Sequence, residues 1–247
     1  MESKGPVYLE KKDNVYYLFL NSPKANNFNT DFVRQINAQL DIVEKDENIC
    51  ALVTTSTLNR FFSTGLDIKF ITNVGHPEDL KNFLLEFCQL LGRMLVFPVP
   101  TIALINGIAI AGGLMFSMAH DYRFIVDDKA FVSLNEVDMG LPLIPAMNAV
   151  VQCKLTPDAF RELFLTGKRM DPAEALKLKV VDFVYEKSKI LDAVHEFANK
   201  MAEKSAYKEN FKALKMEAYQ KAYKAANDQK FGIHTGGVMA LMRLGKL

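Results

Sequence analysis

Up to about residue 155, short apolar segments rich in β-branched residues alternate with longer segments of helical periodicity; beyond it the pattern is almost wholly helical. Strands separated by helices are joined by crossovers, and crossovers favour parallel pairing inside a layered α/β core. Val7, Tyr8 and Leu9 and then Val15 to Leu20, divided by the polar Lys11-Lys12-Asp13-Asn14, predict an N-terminal hairpin. Thr30 is the expected N-cap of a helix with Phe32, Ile36, Leu40 and Val43 on one face. Segments 50–54, 101–105, 122–126 and 130–134 read as strands. Segment 77–95 reads as a long helix that turns Leu80, Phe83, Leu84, Phe87 and Leu91 inward. Segment 114–119 reads as a buried helix entered through Ala111-Gly112-Gly113. Segments 161–165, 173–178, 190–202 and 210–227 read as helices, the last with Lys212, Lys215, Lys221 and Lys224 on a solvated side. The expected division is a core over residues 1–190 and a helical segment over 191–247, packed on that core or on a neighbouring subunit.

With 247 residues, 49% of them hydrophobic, the chain is large enough to bury a core without disulfides or metals. A net charge of +1 gives no electrostatic reason to expect nucleic acid or a membrane surface as partner. No apolar run reaches the roughly 20 residues that span a bilayer. Cys50, Cys88 and Cys153 are odd in number and widely spaced, so they read as buried thiols of a reducing compartment. His76, His120, His195 and His234 have no metal-ligand spacing, and no metal site is expected; His120, beside Asp121 at a helix end, reads as structural. The N-terminus lacks a signal core, and the final Gly245-Lys246-Leu247 resembles the Ser-Lys-Leu peroxisomal address, so the expected location is peroxisomal or cytoplasmic.

Three segments carry possible chemistry. Ser63-Thr64-Gly65-Leu66-Asp67 is a small-residue turn whose glycine lets a ligand approach the backbone; it also reads as a plain turn before a helix capped by Asp67. Asn106-Gly107, followed by Ala111-Gly112-Gly113, places glycines at the mouth of a buried helix, where free N–H groups and the helix dipole suit a developing oxyanion. The same glycines would serve close helix-to-strand packing. Glu136, in Ser133-Leu134-Asn135-Glu136-Val137-Asp138-Met139-Gly140, has apolar neighbours that would raise a carboxyl pKa towards that of a neutral-pH proton shuttle. Asp138 reads as a surface or supporting acid.

Taken together, in this order and over almost the whole chain, the segments resemble the enoyl-CoA hydratase/isomerase (crotonase) family. The matching parts are Pro23-Lys24-Ala25-Asn26, the Ser63 to Asp67 turn, Asn106-Gly107 with Ala111-Gly112-Gly113 and Asp121, and Leu134-Asn135-Glu136 with Gly140. The resemblance implies an α/β fold of repeated ββα units with a mainly helical C-terminal part, and homotrimers or homohexamers. It implies an acyl-coenzyme A substrate, with no further cofactor, no nucleic acid and no membrane insertion. It places the oxyanion hole at the N–H groups of Leu66 and Gly112 and the acid–base at Glu136. It further implies that coenzyme A would lie along Lys24, Ala25 and Asn26 and along Thr64, Gly65, Asp67 and Ile68, with Asn135 touching the acyl part. One departure is informative. Family hydratases carry a second glutamate after the glycines, where this chain has Met115, and a glycine-rich loop where it has Leu141-Pro142-Leu143-Ile144-Pro145-Ala146. The implied activity is therefore that of the single-glutamate isomerases, which move a 3-enoyl-CoA double bond to position 2 in fatty acid β-oxidation. Another reaction through the same enolate (hydration, decarboxylation or thioester hydrolysis) and a non-catalytic CoA-binding subunit are the alternatives.

Overall fold

The computed structural model describes residues 4–228. β1 (Val7–Lys12) and β2 (Val15–Leu20) form the expected hairpin, with Val7 opposite Leu20 and Lys12 opposite Val15. α1 (Thr30–Lys45) buries Phe32, Ile36, Leu40 and Val43, as its period requires. Its cap is Asn29 rather than Thr30: the Asn29 side chain accepts the Phe32 N–H at 2.9 Å. Asparagine and threonine both cap well, and the periodicity does not choose between neighbours.

Three units of one design follow. β3 (Ala51–Ser56) and β4 (Phe61–Ser63) lead into α2 (Ile68–Asn73) and α3 (Pro77–Leu95). β5 (Thr101–Ile105) and β6 (Ile108–Ile110) lead into α4 (Gly112–Met118). β7 (Tyr122–Val126) and β8 (Val132–Ser133) lead into α5 (Pro145–Gln152). The described chain continues through α6 (Pro157–Thr166), α7 (Pro172–Lys177), β9 (Phe183–Tyr185), α8 (Ile190–Ala202), α9 (Lys208–Ala218) and α10 (Gln220–Ala226).

The first strand of each unit enters a six-stranded sheet of order β1-β2-β3-β5-β7-β9, and the second enters a three-stranded sheet, β4-β6-β8. Among the described strands every pairing is parallel except that of β1 with β2, and an isolated antiparallel bridge joins Val132 to Met170. The repeated ββα plan is therefore present. Every residue of β3 and β5 is buried, as expected of parallel strands covered on both faces. α8 lies against β2, β3, β5 and β7, and α10 packs on α3 and α5, so these C-terminal helices cover the core of their own chain.

Several local expectations change. The strand expected over 130–134 shrinks to Val132–Ser133, and β4, β6, β9 and α5 were not anticipated. Lys215 is buried, not solvated. Its ammonium donates to Asp121 at 2.6 Å and to the carbonyls of Phe97 and Val99 at 3.0 Å each. Those carbonyls lie between α3 and β5, outside any ladder, and a buried carbonyl needs a donor. Asp121 also accepts the Thr101 N–H at 2.8 Å, so it ties the start of β5 to α9. Cys50 and Cys88 are buried as expected, but Cys153, the C-cap of α5, is exposed. His120 is buried and neutral: burial pushes its pKa down to about 3, and its two nitrogens meet Phe116 O at 2.9 Å and Thr54 Oγ1 at 2.8 Å. Among the described residues no helix is long and apolar enough to cross a membrane. His234 and Gly245-Lys246-Leu247 lie outside the described residues.

Candidate active site

A cleft opens where the C-terminal ends of β4 and β6 meet the segment after β8. Residues from all three chemical segments line it: Thr64, Leu66 and Ile68; Ala111 and Gly112; Asn135 and Glu136. The topology explains this convergence, because β4, β6 and β8 are neighbours in one parallel sheet and carry the segments on the same end.

The first wall is anchored from behind. Phe28 is fully buried and its ring lies 4.9 Å from that of Phe87 and 5.4 Å from that of Phe116. Aromatic pairs of this kind contribute about 0.5–1.5 kcal/mol each beyond their burial. The Phe28 backbone donates to Gly65 O at 2.9 Å and accepts the Asp67 N–H at 2.8 Å. This bridge uses the groups on either side of Leu66 and turns the Leu66 N–H to the opposite side. Gly65 adopts φ +87°, and a Cβ built on it would stand 2.8 Å from the Gly112 nitrogen. Glycine is required there both by the backbone conformation and by the closeness of the second wall. Asp67 caps α2, accepting the Phe70 N–H at 3.1 Å.

In the second wall, Gly112 is the first residue of α4, so its N–H has no acceptor within the helix. Its peptide is set by Ala111, which holds φ 50° and ψ −130°, a conformation costing a non-glycine residue about 1–3 kcal/mol. The conformation is held at both ends: Ala111 N–H donates to Ser133 O at 3.0 Å, and Ala111 O accepts the Met115 N–H at 3.0 Å. Gly113 serves packing, since a side chain on it would run into Ser63 O. The two readings of the glycine pair thus separate by position, Gly112 facing the cleft and Gly113 the neighbouring strand.

Glu136 is half-buried on the third wall. Its Oε2 is closed off from solvent and has no hydrogen-bond partner among the described residues. Burial pushes its pKa up to about 7; its own backbone N–H, which favours the ionised form, offsets this only in part. The Asn135 side-chain oxygen is likewise buried and unpaired, while its amide nitrogen reaches Met139 Sδ at 3.5 Å. Met115, Leu141, Pro142, Leu143 and Ile144 form the surrounding apolar wall, and Leu84 and Met147 complete it from α3 and α5. Glu136 is the only titratable side chain among the described residues lining the cleft. A base in a dry cleft beside two backbone donors can remove an acidic C–H proton and stabilise the resulting oxyanion.

The remaining expected site residues fall near the cleft without lining it. Lys24 is exposed, and Ala25 O accepts the Thr64 N–H at 3.1 Å. Asn26 is fully buried, and its side chain is spent on the protein: it donates to Ser56 Oγ at 2.7 Å and Phe62 O at 2.9 Å and accepts the Ser22 N–H at 2.8 Å. It fastens the 22–26 loop to β4 and has no side-chain atom free for a ligand. Leu84, Ile110, Ala111, Met139 and Met147 were not anticipated in the cleft. Helical periodicity marks Leu84 as core, and no local pattern distinguishes core residues that face a cavity.

Residues 10–236 match the family Enoyl-CoA hydratase/isomerase. Enoyl-CoA delta isomerase 3 of Arabidopsis thaliana is 33% identical over 177 residues, 70% of this chain and 74% of that protein. The peroxisomal enoyl-CoA delta isomerase 2 of the same plant is 32% identical, covering 70% and 75%. A solved enoyl-CoA hydratase/isomerase family protein from Pseudomonas syringae superposes with a TM-score of 0.82 at 24% identity, over 98% of this chain and 97% of that one. An enoyl-CoA hydratase from Mycobacterium ulcerans gives 0.81 at 24%, over 96% and 98%. With its three segments gathered in one cleft, its ββα units and these relatives, the chain belongs to the enoyl-CoA hydratase/isomerase family.

Proposed function

We propose that this enzyme of the enoyl-CoA isomerase/hydratase type is a Δ3,Δ2-enoyl-CoA isomerase acting in fatty acid β-oxidation. The observation that carries the reading is the cleft's single carboxylate, Glu136, set among apolar side chains with Met115 where a water-placing second acid would stand. The thioester oxygen accepts from the Leu66 and Gly112 N–H groups. Glu136 removes a proton from C2; the electron pair delocalises onto the thioester oxygen, and the dienolate is reprotonated at C4 by the same carboxyl. One carboxyl suffices for both transfers when water is kept out, which is the part of Met115 and Leu141 to Ile144. Asn135 lies against the acyl part. Coenzyme A runs past Lys24 and Ala25 and along Thr64, Gly65, Asp67 and Ile68; Asn26 supports that path by holding the loop. Acyl-coenzyme A is the substrate and no further cofactor is required. Exposed Val137, Leu165, Tyr207 and Leu214 are apolar surface that a homotrimer or homohexamer would cover. A peroxisomal location accords with the name of the plant relative.

The test is formation of the conjugated 2-enoyl thioester from a 3-enoyl-CoA, followed by its ultraviolet absorbance. Steady turnover is expected, and no turnover of any 3-enoyl-CoA would overturn the reading. Water addition to 2-enoyl-CoA is expected to be slow beside isomerisation, for lack of the second acid. Equal hydration and isomerisation rates in one sample would overturn the single-acid mechanism.

The base has to be ionised to act, and burial holds its pKa near 7. The kcat/KM for isomerisation is therefore expected to rise with pH along an acid limb centred near 7. A limb centred in the ordinary carboxylate range would show that the acting base is solvated.

A further inference from the structure

The residues that line the cleft divide by depth. Ile68 and Pro142 are exposed and Leu141 and Leu143 half-buried, so they stand at its mouth. Leu84, Met115, Ile144 and Met147 line the same cleft, yet solvent scarcely touches them: their exposures are 0%, 1%, 6% and 4%. They form its inner end and come from α3, α4, the cap of α5 and α5 itself. No polar side chain is among them; of the described residues lining the cleft only Thr64, Asn135 and Glu136 carry one. The inner end is also backed. α3 and α5 touch each other, and α10 packs on both. Ala222 and Ala226 of α10 are buried, and a Cβ built on Gly92 of α3 would stand 2.8 Å from Ala226 Cβ. Helices in contact through residues this small leave the inner end no space to retreat into.

We propose that Leu84 and Met147 are specificity-determining residues, the floor of a closed pocket that takes a plain hydrocarbon acyl tail and limits its length. This rests on the isomerase reading, which puts the thioester oxygen at Leu66 and Gly112 and carbons C2 to C4 at Glu136. The tail beyond C4 then has two courses, outward past Leu141 and Pro142 into water or inward to Leu84 and Met147. Each methylene moved from water onto an apolar surface is worth about fourfold in affinity, so the inward course wins until the tail meets the floor. Past that point a further carbon has to displace packed core, and one methylene too many in an apolar pocket costs about 10–200-fold. A tail ending in a hydroxyl or carboxylate would lose its water and find no partner at the inner end. Leu84 and Met147 belong to the two helices that α10 backs, which makes them the fixed stops for the tail.

The test is kcat/KM across trans-3-enoyl-CoA esters from hexenoyl to hexadecenoyl, for the wild type, Met147→Ala and Leu84→Ala, with folding checked by thermal melting. The wild type is expected to improve with each added carbon up to a limit and then to fall. Each alanine variant removes about three methylene-sized atoms from the floor. Its limit is expected to move to longer chains, raising the long-to-short ratio of kcat/KM by about 10-fold or more. A merely structural wall would lower all chain lengths alike. A wild type that accepts hexadecenoyl-CoA as well as hexenoyl-CoA overturns the proposal, and so do folded variants whose limit stays where it was. If the alanine variants fail to fold, Met147→Phe carries the test. It fills the floor, so the limit is expected to move to shorter chains, and an unmoved limit overturns the proposal. Calorimetric binding of saturated acyl-CoA esters separates this from the isomerase reading. A length limit in Kd, and weaker binding of an ω-carboxyl ester than of the plain ester of equal length, are expected whether or not a 3-enoyl-CoA turns over. Equal Kd for those two esters overturns the closed floor. Protein that shows the length limit in binding but is inactive on every 3-enoyl-CoA would instead defeat the isomerase reading alone.

Discussion

Replacing Glu136 by glutamine is expected to lower isomerase activity by at least about 100-fold, the usual scale of losing a positioned general base, while acyl-CoA binding stays nearly unchanged. Glutamine keeps the shape and size of the side chain but cannot accept and return a proton at C2 and C4. Stability should move the other way. The carboxyl has a higher pKa in the folded chain than in an unfolded one, so the folded state binds the extra proton. The wild type is then progressively destabilised as pH rises from the ordinary carboxylate range through about 7, and above that the full cost is present. Glutamine removes the cost, so the variant should melt higher than the wild type at pH 8 and show little difference at pH 4. Thermal melting at the two pH values, beside the ultraviolet assay, checks both halves. A variant that keeps most of its activity would remove Glu136 from the chemistry.

The second large effect is expected at Gly65. Alanine there has to adopt φ +87°, and its methyl would stand 2.8 Å from the Gly112 nitrogen, against one of the two donors proposed for the thioester oxygen. Disabling one donor of such a pair costs about 3 kcal/mol, or about 100-fold. The loss should appear mainly in kcat, because the oxygen carries more charge in the dienolate-like transition state than in the bound substrate. The Leu66 N–H remains, held by the Phe28 bridge, so binding should be weakened less than turnover. The backbone strain also lowers the melting temperature, and circular dichroism has to confirm folding at the assay temperature. Folded Gly65→Ala protein with unimpaired kcat would show that the charge is stabilised elsewhere.

What could be read from the residues alone was the part governed by short-range rules. The alternation of strand and helix signals predicts a layered α/β core, and every residue that the α1 and α3 periodicities turned inward is buried, although Val33 in α1 and Cys88, Leu90, Met94 and Leu95 in α3 are buried as well. The spaced segments around Gly65, Gly112 and Glu136 bear enough type-specific residues to mark a family. The absence of an acid at Met115 needs no coordinates either. The three-residue strands β4, β6 and β9 were not legible, because a segment of that length has no period of its own and becomes a strand only when a neighbour supplies the ladder.

Other decisions belong to the tertiary structure. Lys215 reads as one of several lysines on a polar helix, and only the placement of α9 over the carbonyls of Phe97 and Val99 and the Asp121 carboxylate makes it a buried cation. Asn26 reads as part of a ligand loop, yet folding engages both of its amide N–H groups and its amide oxygen beneath the surface. Ala111 carries no sign of its unusual backbone, since alanine is the residue least expected to announce strain. The chemistry itself depends on such placement. By itself the sequence determined which residue types were available: one glutamate among apolar neighbours and two glycine-bearing turns. Only the parallel pairing of β4, β6 and β8 brought them to one end of one sheet, closed the apolar wall over Glu136 and raised its pKa, because desolvation is a property of everything packed around a group and not of the residues beside it in the chain.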